Sequence, residues 1–405
     1  MLGMGVAGAS ADPSERVSES VATGAGFLEA AVSARAVVVA SVGSPEALDA
    51  RAWLASLTVQ RVLRGSLEAG DRIHVAWDQL VPGRPPRFVR GATILVALDP
   101  LPGWSIWRQR LGGREALGIA GRGRAFVRDP RPGTLERVAR LLLVPASRRE
   151  EAEGVEALVA LMAGGPDPLA WEALERMADV AGLQARLSPE AVATLSRVLL
   201  DPGSTDRLRE ELIALVGERR LEGLRAPLVE LSSSGSSLAG AAWEARVQLE
   251  GGLAQERASS LLEHETPALR AVALVHLPAS MEPDPALEAL RTDPAPEARA
   301  AAVEGLVARR GLQALEPALD ALADPAEPVR SAAIVAIGQL GAPAVPALLS
   351  RLEGKDVPAA TPLVLALAQT GPEGREALGR LAATHEHERV RRFARFLLGM
   401  PSDAH

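Results

Sequence analysis

The sequence contains no cysteine, no tyrosine and few aromatic residues of any kind. Without cysteine among its 405 residues, the chain can form no disulfide, use no thiolate nucleophile and ligate no zinc or iron–sulfur cluster through sulfur. Aromatic residues make up 3% of the chain, so any core must be built mainly from small aliphatic side chains. No apolar run reaches about 18 residues, so no segment is predicted to span a membrane.

Lysine is almost absent as well, and Lys355 is the single example. Arginine therefore carries the positive charge, and its distribution is uneven. Residues 1–149 have a net charge of +7, whereas the remainder of the chain has −14. This asymmetry predicts two domains of opposite charge.

The first eleven residues, MLGMGVAGASA, are uncharged and end in the small-x-small site Ala9-Ser10-Ala11. This pattern is typical of the end of a secretory signal. We therefore predict that residues 1–33 are a signal remnant and a disordered or linker segment, and that the protein is periplasmic or secreted. The alternative is a cytoplasmic protein with a disordered N-terminus.

Residues 34–133 have a hydrophobic period of two, which predicts short β-strands separated by turns and loops that contain Gly and Pro. Five or six such strands form a small barrel or sandwich. In the second strand, Trp53, Ala55, Leu57 and Val59 are expected to alternate with outward-facing neighbours that include Leu54. The predicted strands cover 37–42, 53–60, 73–77 and 93–98, with further strands near 117–119 and 125–127.

Four strings in this region carry a family resemblance. They are AVVVASV at 36–42, LTVQRVLRG at 57–65, GDRIHV at 70–75 and FVRGATILVAL at 88–98. Together they resemble the bacterial netrin-like, or inhibitor-of-metalloproteinase-like, domains, and the resemblance implies an OB-type barrel. Ile94 replaces the aromatic residue usual in the last strand. The inhibitory N-terminal cysteine of the animal relatives cannot apply, because the chain has none.

The segment from Arg84 to Arg131 is strongly basic. If several of its arginines share one face of the barrel, that face would attract a polyanion such as nucleic acid, and Trp104 and Trp107 could stack on bases. The alternative is a solvated arginine-rich surface, or one that docks on the acidic part of the same chain. The candidate polyanion-binding residues are Arg84, Arg87, Arg90, Arg108, Arg110 and Arg114.

Residues 134–400 are repetitive. DPAPEARAAA at 293–302 and DPAEPVRSAA at 324–333 lie 31 residues apart, and weaker copies in both directions give about seven units. Asp and Pro begin the first helix of a unit, and a glycine such as Gly341 ends it. One copy is expected to bury the apolar residues Ala333, Val335, Ala336, Ile337 and Leu340 of its first helix and Val345, Leu348, Leu349 and Leu352 of its second.

The unit at 324–349 resembles the short HEAT-like repeats also found in phycobilisome lyases. The resemblance implies an α-α superhelix, or α-solenoid, with a ladder of Asp–Arg hydrogen bonds between neighbouring repeats. Arg270, Arg299 and Arg330 are then structural. The predicted fold is therefore multidomain α and β: a small OB/netrin-like β-barrel at 34–133, a HEAT-like solenoid at 134–400 and a tail at 401–405.

The sequence carries no phosphate loop, no dinucleotide fingerprint and no zinc-protease motif. His385 and His387 lie two residues apart in a predicted loop, where a weak metal site is less favoured than a solvated loop. We predict no catalytic residue, no metal site and no cofactor.

A solenoid offers a long surface for a partner. We therefore predict a noncatalytic protein–protein interaction scaffold whose partner the sequence does not identify. One alternative is an enzyme or a chromophore lyase-like factor that uses the concave face of the solenoid, and the other is polyanion binding by the basic barrel. The candidate partner-binding residues, taken from the second helices of the repeats, are Glu316, Asp320, Ser350, Arg351, Glu376 and Arg380.

Overall fold

The computed structural model describes residues 26–78, 88–101, 104–123, 125–164, 167–234, 236–278, 280–281, 285–353 and 357–400. The chain divides into two compact units, the first ending at Leu208 and the second beginning at Arg209. The predicted signal remnant at the start of the chain and the tail at 401–405 lie outside the described residues. Export of the protein therefore stays a prediction.

The first unit contains a closed five-stranded barrel. Strand β1 pairs with both β3 and β5, which closes the order β1-β3-β4-β6-β5, and the pair β4–β6 is parallel whereas the others are antiparallel. The barrel confirms the predicted fold class. The five barrel strands are β1 (Ala36–Val42), β3 (Ala52–Arg64), β4 (Arg72–Asp78), β5 (Thr93–Pro100) and β6 (Leu117–Ile119). Two short strands pair with them: β2 (Glu46–Ala47) with β3, and β7 (Phe126–Arg128) with β5.

Strand β3 departs from strict alternation near its start. Ser56 and Thr58 are exposed and Leu57 and Val59 are buried, as predicted, but Leu54 is buried too. The reason is helix α2 (Trp104–Leu111), whose Trp107 and Leu111 form one apolar cluster with Ala52, Leu54 and Ala76. The sequence analysis predicted no helix there.

The predicted linker up to residue 33 is wrong for its last seven residues. They form helix α1 (Phe27–Ser33), in which Phe27, Leu28, Ala30 and Ala31 are buried. The burial of these apolar side chains offsets the conformational entropy that the segment loses when it becomes ordered.

Of the remaining helices of the first unit, one short helix lies between β6 and β7 and the others follow the sheet in sequence. The boundary predicted at 133/134 lies close to the change from strand to helix, but the compact units divide further on, between residues 208 and 209. The helices are α3 (Ala120–Gly123), α4 (Pro132–Leu143), α5 (Ala152–Gly164), α6 (Asp167–Ala178), α7 (Leu183–Arg186) and α8 (Pro189–Leu200).

The second unit is built from pairs of helices that we call A and B. The A helices, which pack against each other along the series, are α9 (Asp206–Glu218), α11 (Ala239–Glu250), α13 (Pro267–Val275), α15 (Pro296–Arg310), α17 (Glu327–Leu340), α19 (Val357–Gln369) and α21 (Glu388–Leu397). The B helices between them are α10 (Arg225–Ser233), α12 (Gln255–Leu262), α14 (Pro285–Thr292), α16 (Leu315–Ala321), α18 (Val345–Leu352) and α20 (Pro372–Thr384). The division between the units falls in the first turn of α9.

Small residues let the A helices approach each other closely. Ala333, Ala336 and Ile337 of α17 are buried as predicted, whereas Val335 is 54% exposed, which corrects its predicted place in the core. Gly341 ends α17 with a φ of +68°, a conformation that glycine adopts most readily. Asp293 and Asp324 accept hydrogen bonds from the backbone N–H groups of Ala295 and Ala326, the residues just before α15 and α17. These bonds close turns of two residues ahead of each helix, and the N-cap residues themselves, Ala295 and Ala326, form no side-chain cap.

Within the described ranges, no single helix is long and apolar enough to cross a membrane. One pair, Glu327–Leu340 with Ala342–Leu352, has sufficient length and apolar composition when its two helices are taken together, and it is bent by 114°.

Candidate partner-binding surface

The repeated spacing of Asp and Arg along the chain produces the predicted ladder. The guanidinium of Arg270 donates two hydrogen bonds of 2.8 Å to the carboxylate of Asp293, and Arg299 binds Asp324 in the same way at 3.0 and 2.9 Å. These hydrogen bonds are the main cause that lowers the pKa of both aspartates. Arg330 donates to the backbone carbonyls of Asp324 and Pro325. Arg270 and Arg299 therefore join successive repeats, whereas the hydrogen bonds of Arg330 lie within its own repeat.

The B helices place three of the candidate residues at one point. Nη1 of Arg351 in α18 donates to Oδ1 of Asp320 at 2.8 Å, and its Nη2 donates to Oε2 of Glu316 at 2.6 Å, both in α16. The hydrogen bond to Asp320 and then that to Glu316 raise the pKa of Arg351. The two carboxylates remain about 70% exposed. One arginine shared by two acids leaves a negative excess at this point of the surface.

The other three candidates lie on the same series of helices. Ser350 is exposed beside Arg351, and Arg380 of α20 donates to Glu376 one turn earlier at 2.7 Å. The six residues therefore lie on α16, α18 and α20 of three successive repeats. We call them the B-helix surface.

The A helices carry a second polar cluster, which the sequence analysis did not single out. Nε2 of His276, next to the end of α13, lies 2.6 Å from Oε1 of Glu244 in α11. Burial acts to raise the pKa of Glu244, but the hydrogen bond and charge of His276, together with Gln248, outweigh burial and leave that pKa lowered. Burial, and then the charge of Glu244, raise the pKa of Glu304 in α15. No local motif marks this cluster, because its members come from three different repeats.

The arginines predicted to bind a polyanion are only partly described. Arg84 and Arg87 lie outside the described residues, and Arg90 and Arg108 are exposed. Acidic side chains neutralise the other two: Arg110 forms ion pairs of 2.9 and 2.8 Å with Asp49 and Asp78, and Arg114 pairs with Glu46. Polyanion binding stays a prediction.

The proposed stacking of bases on Trp107 is wrong, because this side chain is only 5% exposed. It packs from α2 onto Ala52, Leu54 and Ala76 of the barrel, and the guanidinium of Arg110 lies 5.2 Å from its ring centroid. The side chain of Trp104 lies outside the described residues.

His385 and His387 lie in the loop between α20 and α21, as predicted, with ring centroids 5.7 Å apart. In the part of the chain that the structure describes, no group of three histidine, aspartate or glutamate side chains is arranged to hold a metal ion.

Comparison with known families supports the prediction that the repeats are HEAT-like. Residues 283–368, from the start of α14 to near the end of α19, match the model of HEAT repeats. The helical repeats of this chain are therefore HEAT-like, as predicted. No curated protein sequence matches the chain significantly.

Three solved structures are similar to this chain at low identity. Human deoxyhypusine hydroxylase in complex with glycerol is 18% identical, with a TM-score of 0.30, over 62% of this chain and 96% of that protein. An engineered protein is 17% identical, with a TM-score of 0.27, over 66% of this chain and 84% of its own. A designed armadillo repeat protein in complex with the peptide (KR)4 is 17% identical, with a TM-score of 0.24, over 60% of this chain and all of its own.

Proposed function

We propose that this protein is a noncatalytic scaffold whose HEAT-like repeats bind a protein partner through the B-helix surface. The observation that carries the proposal is the ion network of Arg351 with Asp320 and Glu316, which joins exposed charges of two successive repeats. HEAT-like repeats stack into extended surfaces, and such surfaces suit a partner that touches several repeats at once.

The network holds its side chains in place before a partner arrives. A side chain that is already ordered loses less conformational entropy on binding than a free one. The negative excess around Arg351 favours a partner segment with a basic side chain, which would complete the pairing of Glu316 and Asp320. Complementary charge of this kind mainly increases the rate and specificity of association.

Photo-crosslinking tests the surface directly. A photoreactive amino acid is placed at exposed Ser350 of the full chain, and at exposed Gln339 of α17 as the control on an A helix. We expect a protein partner in native lysate to crosslink to position 350 and not to position 339. The same partner crosslinked equally from both positions, or only from 339, would contradict the proposed surface.

A charge variant tests the role of the network. We expect the triple variant Glu316→Ala, Asp320→Ala, Arg351→Ala to lose the partner that position 350 captures. The matched control removes the same charges from exposed positions of A helices, through Glu297→Ala, Glu327→Ala and Arg389→Ala. Both variants must keep the far-UV circular dichroism spectrum of the parent chain. Retention of the partner by the triple variant would show that these charges are not needed.

We further propose that the barrel is of the OB type and acts as a recognition module. The order of its strands supports this: β1, β3, β4, β6 and β5 follow each other around the barrel, and β5 pairs with β1. OB folds are five-stranded barrels of Greek-key topology that bind ligands on one face. A crystal structure in which β1 and β5 do not pair, or in which β4 and β6 run antiparallel, would contradict the proposal.

A further inference from the structure

The first unit contains a cavity of about 590 Å³, open to solvent on one side, that the proposed function does not use. Its wall is formed by α1, by the segment before α5 and by α6. Val32, Arg149, Glu172 and Arg176 are part of this wall. Cavities of this volume are in the range that holds a small molecule.

Two guanidinium groups meet at one neutral oxygen in this wall. The carbonyl oxygen of Val32 accepts a hydrogen bond from Nη1 of Arg64 at 2.7 Å, and Nη1 of Arg149 approaches the same oxygen at 3.5 Å. Nε of Arg149 is buried and has no hydrogen-bond partner among the described residues. A buried donor without an acceptor is costly and rare in folded proteins.

Among the described residues, none of Arg64, Arg149 and Arg176 has a carboxylate within 4.0 Å, the limit for an ion pair. Burial, and then the charges of Arg64 and Arg176, lower the pKa of Arg149. The three guanidinium groups therefore repel each other, and a bound anion would remove that repulsion.

Glu172, a half-buried acid in the same wall, forms no ion pair with these arginines. Its two carboxylate oxygens accept hydrogen bonds from the backbone N–H groups of Phe27 and Leu28, at 2.8 and 2.7 Å. Burial raises the pKa of Glu172 in spite of these bonds and of the positive charge of Arg176.

We propose that this cavity binds the oxyanion head, a carboxylate or a phosphate, of a small molecule through Arg149 and Arg176. Guanidinium groups bind both kinds of oxyanion through charge-assisted hydrogen bonds. Four further acids, Glu29, Glu150, Glu175 and Asp179, also line the cavity and are exposed. They select against a second negative charge, so the rest of the ligand is neutral or carries an amine.

The test uses the full chain and two probes, propionate and inorganic phosphate, each titrated against chloride at constant ionic strength. Differential scanning calorimetry measures the unfolding temperature. We expect a saturable rise with at least one probe, because a ligand that binds only the folded state stabilises it. A rise with phosphate alone assigns a phosphoryl head, and a rise with propionate alone assigns a carboxylate. Either result supports the site.

Arg149→Gln is expected to weaken the apparent affinity at least tenfold, because a charge-assisted hydrogen bond to a buried anion is lost. Arg176→Gln serves the same purpose if the first variant does not fold, since Arg176 lies at the edge of the cavity and is half-buried. The matched control is Arg197→Gln, an exposed arginine of α8 that donates only to Thr194. The proposal is overturned if neither probe gives a saturable shift, or if the shift is the same in the parent chain and in both cavity variants.

Discussion

At the scale of single residues, the closest packing in the repeats occurs at helical glycines. A Cβ atom added to Gly305 of α15 would lie 1.9 Å from the carbonyl oxygen of Leu274 at the end of α13. That oxygen belongs to the backbone, so the two helices must separate to admit a methyl group. We expect Gly305→Ala to lower the free energy of unfolding by about 1–3 kcal/mol, as measured by urea denaturation followed by circular dichroism.

Gly379 of α20 is the matched control for this substitution, because a Cβ atom there would meet no atom within 4 Å. Alanine is the better helix former, so Gly379→Ala is expected to raise the free energy of unfolding by about 0.5–1 kcal/mol. The two substitutions are chemically identical, and they should shift stability in opposite directions. A stabilising Gly305→Ala would contradict the close approach of α13 and α15.

The Asp–Arg ladder predicts the dependence of stability on pH. The hydrogen bonds from Arg270 and Arg299 lower the pKa of Asp293 and Asp324 below the ordinary value of 3.8. A depressed pKa in the folded state stabilises the fold fully above the unfolded-state pKa. This stabilisation is lost as the pH falls below about 4 and through the depressed folded-state pKa. We expect the parent chain to lose stability over this acid range and Asp324→Asn to lose less.

At neutral pH, Asp324→Asn should itself cost about 2 kcal/mol, since the amide keeps only one of the two oxygens that accept from the mostly buried guanidinium of Arg299 and removes the charge. Urea denaturation at pH 7 and at a series of acid values measures both effects. Asp320→Asn is the control, because Asp320 is 71% exposed and such surface pairs contribute little. An equal pH dependence in the parent chain and in Asp324→Asn would contradict this assignment.

At the scale of secondary-structure elements, local signals decide what the sequence can predict. Asp293 and Asp324, each before a proline, mark the starts of α15 and α17, and Gly341 marks the end of α17. These signals can be read locally because the turns that begin and end a helix involve neighbours in the chain. The strands of the barrel follow from alternation for the same reason. Helix α2 escaped prediction, and with it the burial of Leu54 and Trp107, because it covers strands that are distant in sequence.

Helix α1 is held in place by Glu172, which lies far from it in the sequence. No local pattern therefore predicts this helix. Glu172 accepts hydrogen bonds from the N–H groups of Phe27 and Leu28, where the first turn of a helix lacks acceptors. We expect Glu172→Ala to open α1, seen as at least tenfold faster hydrogen exchange in residues 27–34. A tenfold change corresponds to about 1.4 kcal/mol, within the range for losing one partner of a buried hydrogen bond.

Glu172→Gln removes the charge together with one of the two acceptors. The amide keeps one oxygen that accepts from the backbone, and its NH2 group cannot accept the second hydrogen bond. Hydrogen exchange in α1 should therefore be faster than in the parent chain and slower than in Glu172→Ala. Glu175→Ala, at an exposed neighbour of the same helix, should leave α1 unchanged. Exchange as slow in Glu172→Gln as in the parent chain would show that one acceptor is enough to hold α1.

At the scale of the whole molecule, the candidate sites differ in how far the sequence could predict them. The B-helix surface could be placed from register alone, because one position per repeat recurs along the chain. The ion network of Arg351 could not be predicted from the sequence, since its geometry depends on how two repeats stack. No sequence pattern predicts the cavity. Arg64, Arg149 and Arg176 come from a strand, a loop and a helix that only folding brings together.

The same reasoning applies to the division of the chain, where composition and packing give different boundaries. Composition changes near residue 133, but α4 contacts β3 and α1 contacts α6, so the helices that follow the barrel belong to its compact unit. A cut in the loop before α9, between 203 and 204, is therefore expected to leave two folded fragments. Each should unfold cooperatively on heating, as measured by circular dichroism.

A cut between 133 and 134 should instead leave the barrel fragment without Glu172 and α6. The buried side chains of Phe27 and Leu28 would lose their cover, and the N-terminus of α1 would lose its acceptors. We expect fragment 1–133 to be less stable than fragment 1–203 by several kcal/mol, because burying two large apolar side chains contributes about 1.5–3 kcal/mol each. Cooperative unfolding of fragment 1–133 at the temperature of fragment 1–203 would show that the barrel folds without the helices. The unit boundary would then lie where the composition changes.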